Sequence, residues 1–242
     1  FIKMQFDKSF RLVGAQIDTY LLEKSRIITG KKNYHVFLND GLTSELTESF
    51  KTMGFSQPQI DLIANMIQAI KNLKSEFNIN SIAELISCDL SLLKDALYHR
   101  NIKAGNECYK LDLNQNEQGN ARNSFMMSLY SRLFNYITKE INQRINNDGE
   151  YFIGILDIFG FESFTINSFE QFCINYTNES LQEQFNEYIF RLEQIEYNNE
   201  GVDWTNIQFP DNKECLKIIE GRMGVIDFLN EECKISGGSD RK

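Results

Sequence analysis

Two prolines, two histidines and one tryptophan are all that the 242 residues contain of those types. With only Pro58 and Pro210, punctuation of the chain falls to glycine and asparagine. His35 and His99 are distant in sequence, and the nearest two of the five cysteines stand 18 residues apart. Neither a metal-ligand spacing nor a disulfide framework is therefore visible, and reduced thiols of a cytosolic protein are the plain reading. No apolar run approaches the ~18 residues of a membrane span. Basic residues are in deficit, 25 Lys+Arg against 34 Asp+Glu for a formal charge of −9, which excludes a free-standing nucleic-acid binder. The chain holds no Gly-x-x-x-x-Gly-Lys-Ser/Thr phosphate cradle, no serine-hydrolase elbow, no zinc-protease helix and no secretory signal. It opens on Phe1-Ile2-Lys3 rather than Met, which reads as the inside of a strand in a longer protein.

What is present is ordinary globular material, 42% apolar and 24% charged, with enough length for a sizeable core. Alternation over Phe1–Phe6 and Phe10–Ile17, with Asp7-Lys8-Ser9 between, predicts a hairpin. Apolar spacings of three and four from Met53 to Ile70 predict helices over Thr43–Asn78, broken by Gly54 and Pro58. The pattern repeats over Ser81–Arg100 and Ala121–Ile145, while polar Asn101–Asn120 reads as a loop. Phe152–Leu156 is a short apolar run, the mark of a strand buried on both faces. Asn167 followed by Glu170 fits a capping box, and an aromatic stripe including Phe169, Phe172, Tyr176, Phe185 and Tyr188 predicts one helix over Asn167–Asn199 with its stripe in the core. Such a helix spans roughly 50 Å.

The sharpest local feature is Asp157. A carboxylate at the carboxyl end of a parallel strand sits where α/β sheets place ligands, and in nucleotide hydrolases it holds Mg²⁺, often through water. Gly160 lets a backbone N–H approach a terminal phosphate. Glu162 is suited to pairing with an arginine of another loop. The plainer alternative is that Asp157 begins a turn.

Asp157-Ile158-Phe159-Gly160-Phe161-Glu162-Ser163-Phe164 resembles switch II of the myosin motor domain. The run from Asn167 to Glu179 is similar to the start of the myosin relay helix, and Gln184-Phe185-Asn186, Glu193-Gln194 and Glu200 to Trp204 continue it through the relay loop. Tyr20 to Arg26 and Tyr130-Ser131-Arg132-Leu133-Phe134 match flanking motor segments. The family's P-loop and switch I have no counterpart here. Leu38 to Asn80 looks shortened, and Asn123 and Met127 stand where Asp and Lys are usual.

The resemblance implies an α/β, helix-rich fragment of a P-loop NTPase motor head, with part of a central sheet and a long relay helix. It divides the chain into a sheet-associated segment at 1–37, a shortened upper actin-cleft helical region at 38–148 with an actin-facing loop near 99–120, and switch II, relay helix, relay loop and the start of the lower cleft at 149–242. Asp157 would reach Mg²⁺ through water, Gly160 would offer its N–H to the γ-phosphate of ATP, and Glu162 would pair with the switch I arginine. Arg100 and Lys103 would face actin filaments, although a solvated loop is the plain alternative. Asn167, Phe169, Glu170, Phe185 and Trp204 would belong to the relay. Light chains or calmodulin would be reached only through a lever arm absent from these residues. The implied setting is the cytoplasmic actin cytoskeleton. Two functions compete: a fragment of an actin-based ATPase motor, expected to be inactive alone, and a myosin-derived binding or scaffold protein without ATPase activity.

Overall fold

A computed structural model describes residues 1–20, 22–24, 26–29, 41–75, 77–104, 107–203 and 212–234. The chain divides into two compact units, Phe1–Asp157 and Ile158–Lys242. It is a helix-rich α/β protein with small sheets.

The first unit opens with the expected hairpin, β1 (Ile2–Phe6) and β2 (Leu12–Ile17), paired antiparallel. Asp7 builds its turn by accepting the N–H groups of Ser9 (2.8 Å) and Arg11 (3.0 Å). After the short α1 (Arg26–Thr29) come α2 (Ser44–Thr52), α3 (Gln57–Lys74), α4 (Ile79–Leu85) and α5 (Leu90–Tyr98). Gly54 ends α2 at φ +80°, a left-handed position that glycine takes without strain, and Phe55 N–H closes back on Phe50 O (3.0 Å). A second hairpin, β3 (His99–Ala104) and β4 (Glu107–Asp112), leads into the 31-residue α6 (Gln115–Ile145) and then β5 (Tyr151–Ile155).

The core lies among the helices. Ile60, Ile63, Ile67, Ile70 and Leu73 of α3 meet Ile82 of α4, Leu93 and Leu97 of α5, and Met126, Tyr130, Leu133 and Ile137 of α6. Leu73 is wholly buried. Leu73→Ala is expected to destabilise this unit by about 2–5 kcal/mol, read as a lower urea midpoint at unchanged slope. Arg144 ties α6 to the α2–α3 corner: it donates to Glu140 Oε2 (2.8 Å) and Gln59 Oε1 (3.2 Å), and its guanidinium lies 4.3 Å from the Phe55 ring centroid.

Asp89 caps α5 by accepting the N–H groups of Ser91 (2.7 Å) and Leu92 (3.2 Å). Those donors, Leu92 first, hold its carboxyl below the usual range. Its stabilising effect is therefore complete above the unfolded-state pKa and is lost as pH falls through the folded value. Asp89→Asn, which keeps a capping oxygen without the charge, should flatten the acid limb of a melting-temperature profile.

Two sequence expectations are corrected here. The run Phe152–Leu156 is indeed a strand, displaced by one residue, but it is neither parallel nor buried. β5 pairs antiparallel with β1 in a sheet of order β2-β1-β5, and its Phe152 and Ile153 are 63% and 55% exposed. An apolar run records a demand for cover, and the helices of this unit satisfy one another rather than the sheet. Asn101–Asn120, expected as a loop, is instead the β3–β4 hairpin and the first turns of α6. A two-stranded ribbon has no face that must be apolar throughout, so only the pairs Ile102↔Tyr109 and Arg100↔Leu111 carry a strand signal. The helix begins early because Asn114 and Glu117 form a capping box.

The second unit is built on one long helical run: α7 (Phe169–Phe185), a π-helical stretch (Asn186–Leu192) and α8 (Glu193–Glu200). The expected helix over Asn167–Asn199 is thus present, with a wide turn inside it. Ser168 rather than Asn167 is its cap, and Gln171 rather than Glu170 reaches back, accepting Ser168 N–H at 3.0 Å. The aromatic stripe is not core: Phe169 is 62%, Phe185 50% and Tyr188 59% exposed. Two short helices follow, α9 (Lys213–Glu220) and α10 (Val225–Lys234). Asn212 Nδ2 donates to Glu179 O (2.8 Å) and Tyr176 O–H to Glu220 Oε2, fastening α9 to α7. The Glu220 bond raises the Tyr176 phenol above its ordinary pKa.

Candidate functional site

The loop 156–168 joins β5 to α7 and holds Asp157, Gly160 and Glu162. Asp157 is the last residue of the first unit and is exposed. Among the described residues no hydrogen bond or ion pair engages its carboxylate. Gly160 stands in open space: a Cβ built there meets nothing within 4 Å, and its φ is not left-handed. No contact of this chain therefore demands glycine at 160.

Glu162 is different. It is 6% exposed, one of few buried charged groups, and Gln171 Nε2 donates to its Oε2 at 3.4 Å. Its backbone is gripped on both sides by one side chain. Glu162 N–H donates to Asn175 Oδ1 (2.7 Å), and Asn175 Nδ2 donates to Glu162 O (2.8 Å). Asn178 Nδ2 reaches Phe159 O (2.7 Å), one residue before Gly160. Asn167 closes the end of the loop, accepting Phe164 N–H (2.9 Å) and donating to Phe164 O (2.8 Å). Gln171, Asn175 and Asn178 recur at helical spacing, so one face of α7 presents three amides to the loop. An amide both donates and accepts, which is what a backbone lacking ladder partners needs. In sequence these three residues lie within the stretch resembling the relay helix, with no role of their own to set them apart from the chain's other amides. Their spacing of four and three just downstream of the loop was the available signal.

The other expected residues are dispersed. Glu170 Oε2 accepts Ser168 O–H (2.6 Å), and Phe169 stacks on Phe172 with ring centroids 6.4 Å apart. Phe185 precedes the π stretch and packs edge-on to Phe190 at 5.8 Å. Asn186, 2% exposed, accepts Gln182 Nε2–H at 2.9 Å where the π stretch begins. Arg100 lies on β3, its Nη1 3.6 Å from Glu117 Oε1, and Lys103 is on the same strand. Trp204 lies outside the described residues.

The donor set suits a limited share of a magnesium–phosphate centre. Among the described residues there is no group of three or more His, Cys, Asp and Glu side chains able to hold a metal. Asp157 offers this centre one exposed carboxylate. The unobstructed Gly160 backbone fits the approach of an anion.

Comparison with known proteins accounts for the pattern. The profile described as "Myosin head (motor domain)" matches residues 1–60 and 58–242. Unconventional myosin-Vb of Mus musculus is 33% identical over 300 residues, which cover 100% of this chain and 16% of its own length. Unconventional myosin-Va of Gallus gallus is 34% identical over 299 residues, with 99% and 16% covered. Myosin-14 of Arabidopsis thaliana is 36% identical over 294 residues, with 96% and 19% covered. The chain thus spans less than a fifth of the length of these relatives. With the profile accounting for the whole sequence, this chain belongs to the myosin head (motor domain) family.

Proposed function

We propose that this chain is the part of an actin-based ATPase motor that senses the terminal phosphate of ATP and passes its state along a long helix. The observation that carries this reading is the amide clamp, in which Asn175 and Asn178 bind the loop of Asp157, Gly160 and Glu162 directly to the start of α7. MgATP would supply the charge at the loop and the bond to be cleaved. Asp157 would hold the cation through water, Gly160 would present its N–H to the γ-phosphate, and Glu162, already buried, would meet an arginine from the switch I segment of the motor. Any shift of the loop then moves the first turns of α7, and the run from Phe169 to Glu200 carries that shift about 50 Å.

The π stretch Asn186–Leu192 has its place in this reading. A wide turn inside an α-helix is a local irregularity at which a helix can bend. It divides the run into an arm that follows the loop and an arm that follows whatever meets Ile195. We assign Arg100 and Lys103, on the β3–β4 hairpin, to the actin-facing surface, and the actin cytoskeleton of the cytoplasm to the setting. The P-loop NTPase character of the head and the segments 1–37, 38–148 and 149–242 as sheet, upper-cleft and switch–relay regions belong to the same proposal.

The test is a chimera in which residues 1–242 replace the matching stretch of a myosin-Va motor. Actin-activated phosphate release and filament gliding are expected to persist. A chimera that folds and binds MgATP but shows neither would overturn the motor reading. The competing reading is a binding or scaffold protein without ATPase activity, for which the chimera should show neither. Both readings expect the isolated chain to release no phosphate from ATP above background, with or without filaments, since positioning of the phosphates supplies nearly all phosphoryl-transfer catalysis. Only the chimera separates them.

A further inference from the structure

Phe10 breaks a rule of turn chemistry. Its N–H donates to Asp7 O (2.9 Å), and Asp7 N–H donates to Arg11 O (3.0 Å). Lys8 and Ser9 thus form the turn between β1 and β2, and Phe10 is the extra residue that returns the chain to β2. A hairpin loop of this kind needs left-handed backbone at that residue, and φ there is +57°. Glycine takes the position without strain, whereas a bulky side chain brings its Cβ too close to the following carbonyl oxygen.

What meets the strained residue is Tyr151. The two rings stack with centroids 5.3 Å apart and planes 25° from parallel. Tyr151 is the first residue of β5, and β1 lies between β2 and β5, so the stack reaches from the hairpin tip past the end of β1 to the far strand. Two further ties join the same parts. Glu150 N–H donates to Phe6 O (3.0 Å), and Lys8 Nζ lies 3.1 Å from Glu150 Oε1. That ion pair is exposed on both sides and contributes little. Both rings are exposed as well, so no core packing holds Phe10 in its strained form. The gain from an aromatic pair and the cost of a left-handed bulky residue are of the same order and opposite in sign. The tip therefore has two arrangements of similar free energy.

We propose that residues 7–11 are a spring-loaded strap on β5. Closed, the Phe10 ring lies on Tyr151 and the backbone carries the strain. Open, Phe10 relaxes to ordinary backbone, the turn loosens, and the first residues of β5 lose a tie. β5 leads into the loop of Asp157, so the strap sets how firmly the strand before that loop is anchored. All of its parts lie in the first unit, and it operates whether or not the chain serves a motor.

Residue-resolved hydrogen exchange of the whole chain reads the strap at two amides, Asp7 for the turn and Glu150 for the tie to β5. Tyr151→Thr removes the ring and leaves the strain, so protection should fall about two- to tenfold at both, the range that loss of one aromatic pair supports. Phe10→Gly removes ring and strain together. Glu150 should lose the same protection while Asp7 keeps its parental value, because glycine holds the turn unaided. Adding Tyr151→Thr to Phe10→Gly should then change either amide by less than about twofold. A Phe10 that is only a strained turn residue predicts the reverse, with glycine raising protection at both amides. That result, an unchanged Glu150 in Phe10→Gly, or an equal effect of Tyr151→Thr in both backgrounds would overturn the strap. Phe10→Tyr, which keeps a ring, should match the parent. Should a variant fail to fold, proton NMR of the parent decides. The Tyr151 ring signals should be displaced by the Phe10 ring and drift towards free-tyrosine positions on warming below the melting transition, and undisplaced signals would refute the strap.

Discussion

Gly160→Ala, introduced into a myosin-Va chimera carrying residues 1–242, should lower single-turnover ATP hydrolysis by about 100-fold, the size of the loss when one preorganised backbone donor no longer reaches its oxygen, because the added methyl stands between the N–H and the γ-phosphate. MgATP affinity should change much less, because the phosphate cradle is contributed by another part of the motor. The structure makes this variant informative. No neighbour lies within 4 Å of a Cβ at 160 and φ is not left-handed, so alanine is accommodated without strain. A large kinetic effect would therefore report a ligand that must approach the backbone, not a damaged fold. Asp157→Asn belongs to the same experiment. It keeps size and removes charge at an exposed carboxylate, and it should weaken Mg²⁺-dependent hydrolysis while leaving thermal stability unchanged. Parental hydrolysis rates in both variants would mean that Asp157 is only a turn residue.

Much of this architecture is legible in the sequence, and the failures share one cause. Helix positions from Met53 to Ile137 follow their apolar spacing because each of those helices buries its stripe against another helix of the same unit. β5 and the long helix bear equally strong apolar signals, yet Phe152, Phe169 and Tyr188 are exposed. Hydrophobicity tells which faces need cover; it does not tell whether these 242 residues provide it. The candidate loop divides in the same way. Asp157, Gly160 and Glu162 stand out in the sequence because the chemistry proposed for them demands particular residue types. Gln171, Asn175 and Asn178 are not, because an amide that satisfies a backbone looks in sequence like any polar residue on a helix surface. The cap is off by one position for a related reason: Asn167 and Ser168 are both good caps, and Asn167 is used instead to close the loop on Phe164.

The amide clamp leads to the second large effect, separation of chemistry from movement. In the same chimera, Asn175→Leu removes both bonds to the Glu162 backbone while keeping the side chain's approximate volume. Each lost bond contributes roughly 1 kcal/mol, and a buried group left without a partner costs about 1–3 kcal/mol. The loop is then free to settle where water satisfies Glu162 N–H and C=O, away from α7. Under the proposed function phosphate chemistry falls to Asp157 and the Gly160 backbone, not to Asn175, so hydrolysis in single turnover should stay within a few-fold of the parent. Transmission is proposed to run through the clamp, so filament gliding velocity should fall about tenfold, the change that about 1.4 kcal/mol in the clamped population produces, a value within the cost above. Asn175→Asp sharpens the reading, since it keeps the acceptor for Glu162 N–H and loses the donor to Glu162 O, and should glide at an intermediate speed. A variant in which hydrolysis and gliding fall together would place Asn175 in the chemistry itself, and one in which both persist would show that movement reaches the helix by another route.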